Sequence, residues 1–269
     1  MKHLARELIV RPGSRIKLAD IDPGDTHGVK KEEAGEHLAK NLDRLSVLQY
    51  MLYAEGQRSL LVVLQGIDAG GKDGTIRHVM SGLNPQGVKV TAFKVPEGPE
   101  KRHDYLWRVH QAAPEWGQLG IFNRSHYEDV LVARVHSLVP APVWQKRYRQ
   151  INEFERMLCE NKVRIVKFLL YIDKKEQARR FRERLDDKAK NWKFSQSDLK
   201  EREYWDQYIG AYEDMLRKCS TKNAPWYVIP ANKKWFRNLA VSQIMREELE
   251  GMKLKYPAPA ADLSAIRFE

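Results

Sequence analysis

The stretch Leu60-Leu61-Val62-Val63-Leu64-Gln65-Gly66-Ile67-Asp68-Ala69-Gly70-Gly71-Lys72-Asp73-Gly74-Thr75 decides the reading of this chain. It begins as an unbroken apolar run, the composition of a strand buried on both faces. It then breaks into glycine and resumes as a helix through Ile76, Val79 and Met80. The spacing of Gly66, Gly71 and Lys72 is that of a phosphate-binding loop. Glycines let the backbone curl so that its N–H groups point inward at an anion. The helix that follows offers its positive N-terminal end. Lys72 adds a full charge on a flexible stem that reaches the outer phosphates. Gly66, Ala69, Gly70, Gly71, Asp73, Gly74 and Thr75 are therefore expected around bound phosphate. One position departs from the usual pattern. A Ser or Thr whose hydroxyl binds Mg2+ normally follows the lysine. Here Asp73 follows it, and the nearest hydroxyl is Thr75. A carboxylate, Asp68, sits inside the loop instead. Magnesium prefers hard oxygen ligands, which makes Asp68 a natural site for it.

Working outward, 269 residues suffice for one α/β domain with insertions. The net charge of +11 points to a polyanionic partner. Cys159 and Cys219 are the only cysteines, too few and too isolated for a disulfide framework or a metal-ligand pattern. No run of about 18 apolar residues occurs, so no membrane span is expected. Met1-Lys2-His3-Leu4-Ala5-Arg6-Glu7 lacks a long apolar core, so no secretory signal is expected either. A cytoplasmic enzyme fits these features.

Residues 1–31 are rich in Pro, Gly and charge and read as an extended arm on the main domain. A helix follows from Glu32, with Leu38, Leu42, Leu45, Gln49 and Leu52 on one face, and Gly56 closes it before the first strand. Val88, Val90 and Ala92 mark a second strand. Lys101, Arg102, His103, Tyr105, Trp107 and Arg108 form a basic, aromatic segment. They read either as a helix with buried aromatics or as a group whose Lys101 and Arg102 reach phosphates. Residues 117–123 read as a short third strand that delivers Asn123-Arg124-Ser125-His126-Tyr127-Glu128-Asp129 at its carboxyl end. Ligands of open α/β sheets bind at that end of the strands, so this stretch should face the phosphate loop. A helix over 144–161, a fourth strand over 163–172, a fifth over 226–230 and a last helix over 234–251 complete the pattern. Between the last two strands lies an insertion, residues 174–224. Residues 174–193 hold nine Lys or Arg against four Asp or Glu. Arg179, Arg180, Arg182, Arg184, Lys188, Lys190 and Lys193 could line one groove, or simply form a solvated face.

The expected fold is an α/β, P-loop kinase-like three-layer sandwich with a five-stranded parallel sheet and a basic helical lid. One domain covers 1–269, with an N-terminal arm and helix over 1–58 and the lid insertion and helix over 174–224. At this point the chain resembles the polyphosphate kinase 2 family, specifically its class III. The resemblance rests on Asp22-Pro23, on Gly66-Ile67-Asp68-Ala69-Gly70-Gly71-Lys72-Asp73-Gly74 and on the run from Phe122 to Val132. Arg180-Phe181-Arg182-Glu183-Arg184, Asn191-Trp192-Lys193-Phe194-Ser195 and Asn223-Ala224-Pro225-Trp226 agree as well.

The resemblance implies transfer of phosphoryl groups from inorganic polyphosphate to AMP and ADP, with GMP and GDP as further acceptors to test. It implies Mg2+ as cofactor. Asn123 agrees with class III, since most of the family places Asp there; the metal's charge then falls mainly on Asp68, with Asn123 and Glu128 beside it and Asp129 as a possible helper. The expected catalytic groups are Asp68, Lys72 and Arg124. Lys101, Arg179, Arg180, Arg184 and Lys193 are expected on phosphates, and Asn123, Arg124, Tyr127 and Glu128 at the nucleotide. A homo-oligomer, dimer or tetramer, is expected, though no stretch of the sequence decides between them. Two other readings share some of these features. An ATP-dependent nucleoside monophosphate kinase shares the fold and lid but does not require so basic a groove. A nucleic-acid-binding module fits the charge alone; no sequence-reading motif for nucleic acid is present, so neither nucleic acid nor membrane is expected as a partner.

Overall fold

Leucine and valine fill Ser59–Gln65, and all seven residues of this segment are buried. In the computed structural model, which describes residues 4–259 with Leu263, Ile266 and Arg267, this segment is β1, the central strand of the sheet. In chain order the elements are α1 (Leu4–Leu8), α2 (Lys31–Glu55), β1 (Ser59–Gln65), α3 (Lys72–Val79), β2 (Val88–Ala92) and α4 (Trp107–Ala112). Then come β3 (Leu119–Asn123), α5 (Val132–Val135), α6 (Ala141–Glu160), β4 (Val163–Tyr171), α7 (Lys174–Asp186) and α8 (Gln196–Glu201). The last are α9 (Trp205–Cys219), β5 (Trp226–Pro230) and α10 (Lys234–Gly251).

The five strands lie in the order β2-β3-β1-β4-β5, and every pairing is parallel. Side chains alternate across a strand, so β1 feeds two cores. Leu60, Val62 and Leu64 pack with α1, α2 and α10, including Leu52, Phe236 and Ile244. Leu61 and Val63 pack on the other face with Tyr148, Ile151, Met215 and Leu216 of α6 and α9. This is the expected three-layer α/β sandwich with a parallel sheet.

Several boundaries shift from the sequence expectation for local reasons. Gly117 lies in a turn with φ +85, so β3 starts only at Leu119. Helix α6 begins at Ala141 because Pro142 is favoured in a first turn. Gly56 ends α2 in the left-handed conformation, its N–H donating to the Leu52 carbonyl. The N-terminal arm is partly helical rather than fully extended. It still covers the sheet: Ile9 bridges Tyr227, and the Val10 N–H donates to the Trp226 carbonyl at 2.8 Å. That contact closes the free edge of β5, which would otherwise offer unpaired backbone groups.

The register places the site. Leu64 lies opposite Asn123 on one side and Phe168 on the other. The carboxyl ends of β1 and β3 therefore stop within one residue of each other, while β4 runs two residues farther, to Tyr171. Chain order runs out from β1 towards β2 and β3 on one side and towards β4 and β5 on the other, so β1 marks the point where open α/β sheets bind ligands.

Candidate active site

The loop after β1 is shaped by close approaches that only glycine permits. A side-chain carbon on Gly66 would lie 2.7 Å from the Leu170 carbonyl oxygen of β4, and Gly66 has φ +154. Gly71, with φ +106, turns the chain into α3. Between them Ala69 is held at φ +61. Lys72, at the head of α3, is buried, and its Nζ donates to the Gly66 carbonyl at 2.6 Å. Burial pushes this ammonium below its ordinary pKa, and the neighbouring Arg124 charge adds to that. Lys72 is thus a desolvated cation resting on a carbonyl, a weaker acceptor than a phosphate oxygen.

The end of β3 supplies the facing groups. Arg124 also has φ +61. Strained backbone of this kind concentrates at functional sites. Its Nη2 donates to Asp68 Oδ1 at 2.8 Å, and its Nη1 lies 4.0 Å from Glu128 Oε2. Gly66, Asp68, Arg124 and Glu128 line a small cavity of about 30 Å³, walled by Tyr208 and Tyr212 of α9. Burial pushes the Glu128 carboxyl above its ordinary pKa in spite of Arg124 and Lys72. Lys72, Asp68, Arg124 and Glu128 thus meet at the carboxyl end of β1, where the sequence places them.

Asp73, the residue in place of the usual hydroxyl, has a different role. It accepts from Asn123 Nδ2 at 2.9 Å and from Lys193 Nζ at 3.2 Å. Burial raises its carboxyl, but these two bonds and the Lys193 and Lys72 charges outweigh that and lower it overall. Asp73 therefore ties the β3 tip to the basic insertion. Thr75 is fully buried and donates to the Gly71 carbonyl at 3.1 Å, so its hydroxyl does not face the loop's concave side.

Other expected site residues fall elsewhere. Tyr127 is fully buried; its hydroxyl donates to Glu155 Oε1 at 2.8 Å and accepts from Lys167, and its ring meets Trp226 edge-on. It belongs to the core and not to a nucleotide pocket. Asp129 is paired with Arg147 at 2.9 Å rather than turned towards Asp68. Lys101 is exposed in the 3-10 turn Gly98–Arg102 and has no ion pair among the described residues.

The insertion is more neutral than its sequence suggests. Arg179 pairs with Glu176 and Glu183 of its own helix. Arg184 pairs with Asp198, Lys190 with Asp187 and Lys193 with Asp73. Of the seven cations, Arg182 and Lys188 alone are exposed without an ion pair among the described residues. Arg180 is 5% exposed and bolts the phosphate loop in place. Its Nη1 donates to the Ala69 and Gly70 carbonyls at 2.8 and 3.1 Å, and its Nη2 to the Ala231 carbonyl. Consecutive helical residues point about 100° apart, so Arg180 turns in to the loop while Arg179 stays exposed, the two meeting on Glu176 Oε1.

Gln177 completes the bolt, donating to the Asp68 carbonyl at 2.9 Å. Sequence reasoning missed Gln177, and also Tyr208, Tyr212 and Arg237. Each sits at ordinary helical spacing, and nothing local marks it. Among the described residues no cluster of three or more His, Cys, Asp or Glu side chains stands ready for a metal. The Asp68 and Glu128 pair still fits Mg2+, which takes one or two carboxylates together with substrate phosphates and water.

A parallel sheet with a glycine loop and lysine after its central strand, faced by an arginine and two carboxylates, defines a P-loop phosphotransferase. The Polyphosphate kinase 2 (PPK2) family matches residues 28–257. The chain belongs to that family. It is 57% identical over 262 residues to the AMP/ADP-polyphosphate phosphotransferase of Meiothermus ruber, covering 97% of this chain and 98% of that one. It is 44% identical to the ADP-polyphosphate phosphotransferase of Rhodopseudomonas palustris, over 96% of this chain and 93% of that one. The crystal structure of Polyphosphate Kinase 2 from Arthrobacter aurescens TC1 superposes with a TM-score of 0.92 at 45% identity, over 95% of this chain and 93% of that one.

Proposed function

We propose that this chain transfers phosphoryl groups from inorganic polyphosphate to AMP and ADP, forming ADP and ATP. The observation that carries this reading is the convergence of Lys72, Asp68, Arg124 and Glu128 at the carboxyl end of β1. Its agreement with relatives named for the same transfer supports the choice of substrates.

The acceptor is a phosphate oxygen that already carries negative charge, so no general base is required. A phosphoanhydride bond of the donor breaks, the acceptor oxygen bonds to the released phosphorus, and the donor leaves one unit shorter. Catalysis then consists of positioning and charge neutralisation. Lys72 exchanges the Gly66 carbonyl for a phosphate oxygen, while the loop N–H groups hold the rest of that phosphate. Arg124, oriented by Asp68, offers its planar donor fork to the moving group. Asp68 and Glu128 would hold Mg2+; when bound, the metal neutralises charge on the phosphate oxygens. Tyr208 and Tyr212 wall the cavity and exclude water, which would otherwise hydrolyse the donor.

The test is a purified-enzyme assay with long-chain polyphosphate and AMP set against ATP and AMP. Formation of ADP and then ATP from polyphosphate is expected. Turnover with ATP alone as donor would instead make this a nucleoside monophosphate kinase.

A further inference from the structure

Behind the phosphate loop lies a cation that no acid among the described residues pairs with. Arg237, in the first turn of α10, is 2% exposed. Its Nε and Nη2 donate to Asn238 Oδ1 at 3.1 and 2.8 Å, and it takes part in no ion pair among the described residues. The guanidinium packs against the loop itself. A side-chain carbon on Gly71 would run into Nη1, and one on Gly74 would lie 3.1 Å from Nη2. These glycines flank the head of α3, whose free N–H groups form the floor of the loop.

The acids near this floor are committed to other partners: Asp68 to Arg124, and Asp73 to Asn123 and Lys193. Arg180, which also approaches Gly71, takes Glu176 as its carboxylate partner, and Arg179 shares that same Oε1. Lys72 rests on carbonyls. Burial and the Arg180 charge push Arg237 down to about 10, with no acid opposing them. An unpaired buried charge is expensive to keep. The cost is offset if a ligand brings the missing anion.

We propose that Arg237 is a further determinant of phosphate affinity, a cation placed behind the loop whose counter-charge arrives with a condensed-phosphate ligand. It acts through its field across Gly71 and Gly74, where low dielectric makes a unit charge strong, and not through a bond to the reacting atoms. The inference rests on the phosphate-loop reading above.

The test measures binding of inorganic tripolyphosphate by calorimetry at fixed salt, without nucleotide, together with the ligand-free melting temperature. The proteins are wild type, Arg237→Met and Arg237→Lys. Arg237→Met should bind on the order of ten-fold more weakly, as loss of one nearby charge in low dielectric requires. It should melt no lower than wild type, because an apolar side chain of similar length replaces an unpaired charge. Arg237→Lys should retain most of the affinity. Unchanged affinity in Arg237→Met overturns this inference alone; no binding by wild type overturns the phosphate-loop reading with it. A Met variant that melts lower or fails to fold makes Arg237 a structural prop and overturns the proposal. So does a Lys variant as weak as the Met variant.

Discussion

Lys72 shows how far a single residue's role follows from its surroundings. Its ammonium is buried and, among the described residues, bonded only to backbone carbonyls. Lys72→Met keeps the volume and removes the charge. The expected outcome is a protein with an unchanged melting temperature and a kcat lower by roughly 10²-fold or more, as for loss of one preorganised donor. Steady-state rates on the folded variant check this, and near wild-type turnover would remove Lys72 from the mechanism. Asp68 carries two tasks, orienting Arg124 and offering a hard oxygen to Mg2+. Asp68→Asn should raise the Mg2+ concentration needed for half-maximal rate, with partial rescue at high Mg2+. A magnesium titration of initial rates decides it. An unchanged Mg2+ dependence would assign the metal to Glu128.

At the scale of elements, α7 is divided by its own geometry. Its inner face fastens the loop through Gln177 and Arg180, and its outer face pairs Arg179 with Glu176 and Glu183. Arg179→Ala is therefore expected to change the KM for long polyphosphate by no more than about two-fold, since an exposed and already paired charge contributes little. Arg180→Gln should lower both kcat and melting temperature, because buried carbonyls at Ala69, Gly70 and Ala231 lose their donor. Farther along, Lys193 touches Asp73 across the site. Lys193→Ala should raise the KM for polyphosphate more than that for ADP and flatten the salt dependence of that KM, as loss of one contact to a polyanion does. A salt series of initial rates on these variants separates the three roles. Equal effects on both substrates for Lys193→Ala would reduce that contact to a surface ion pair.

Across the whole molecule, a buried network joins the sheet to the helical layer behind the site. Glu155 of α6 binds Lys167 of β4 at 2.5 Å, His126 at 3.1 Å and Tyr127 at 2.8 Å. Lys167 also donates to the Cys219 carbonyl at the end of α9. Burial raises the Glu155 carboxyl, but Lys167 and His126 outweigh it, so its folded pKa lies below the ordinary value. A depressed carboxylate pKa contributes stability above the unfolded value that is lost as pH falls through the folded one. Glu155→Gln should cost roughly 3–5 kcal/mol at neutral pH, because it leaves Lys167 buried and unpaired. The gap to wild type should narrow as pH falls below about 4. Denaturant melts of both proteins from neutral to acidic pH test this; a constant gap would assign the loss to packing instead.

The linear chain determined what depends on local order. The apolar run of β1, the Gly66 to Lys72 spacing and the alternation of strands with helices set the sheet, its direction and the phosphate loop, because backbone curvature and strand burial are decided by neighbours in sequence. Arg124 was legible too, since it follows a strand whose carboxyl end must face the loop. What the chain could not carry was which side of each helix meets which partner. Tyr127 sits two residues before Asp129 in a site motif, yet it turns into the core against Trp226. Arg180 stands in a run of cations, yet it serves as a brace, while four of the others, Arg179, Arg184, Lys190 and Lys193, pair with acids, one of them 120 positions away. Arg237 comes to the loop from 163 residues beyond Gly74. Side-chain direction, burial and charge balance depend on contacts between distant segments, and the tertiary structure alone decides them.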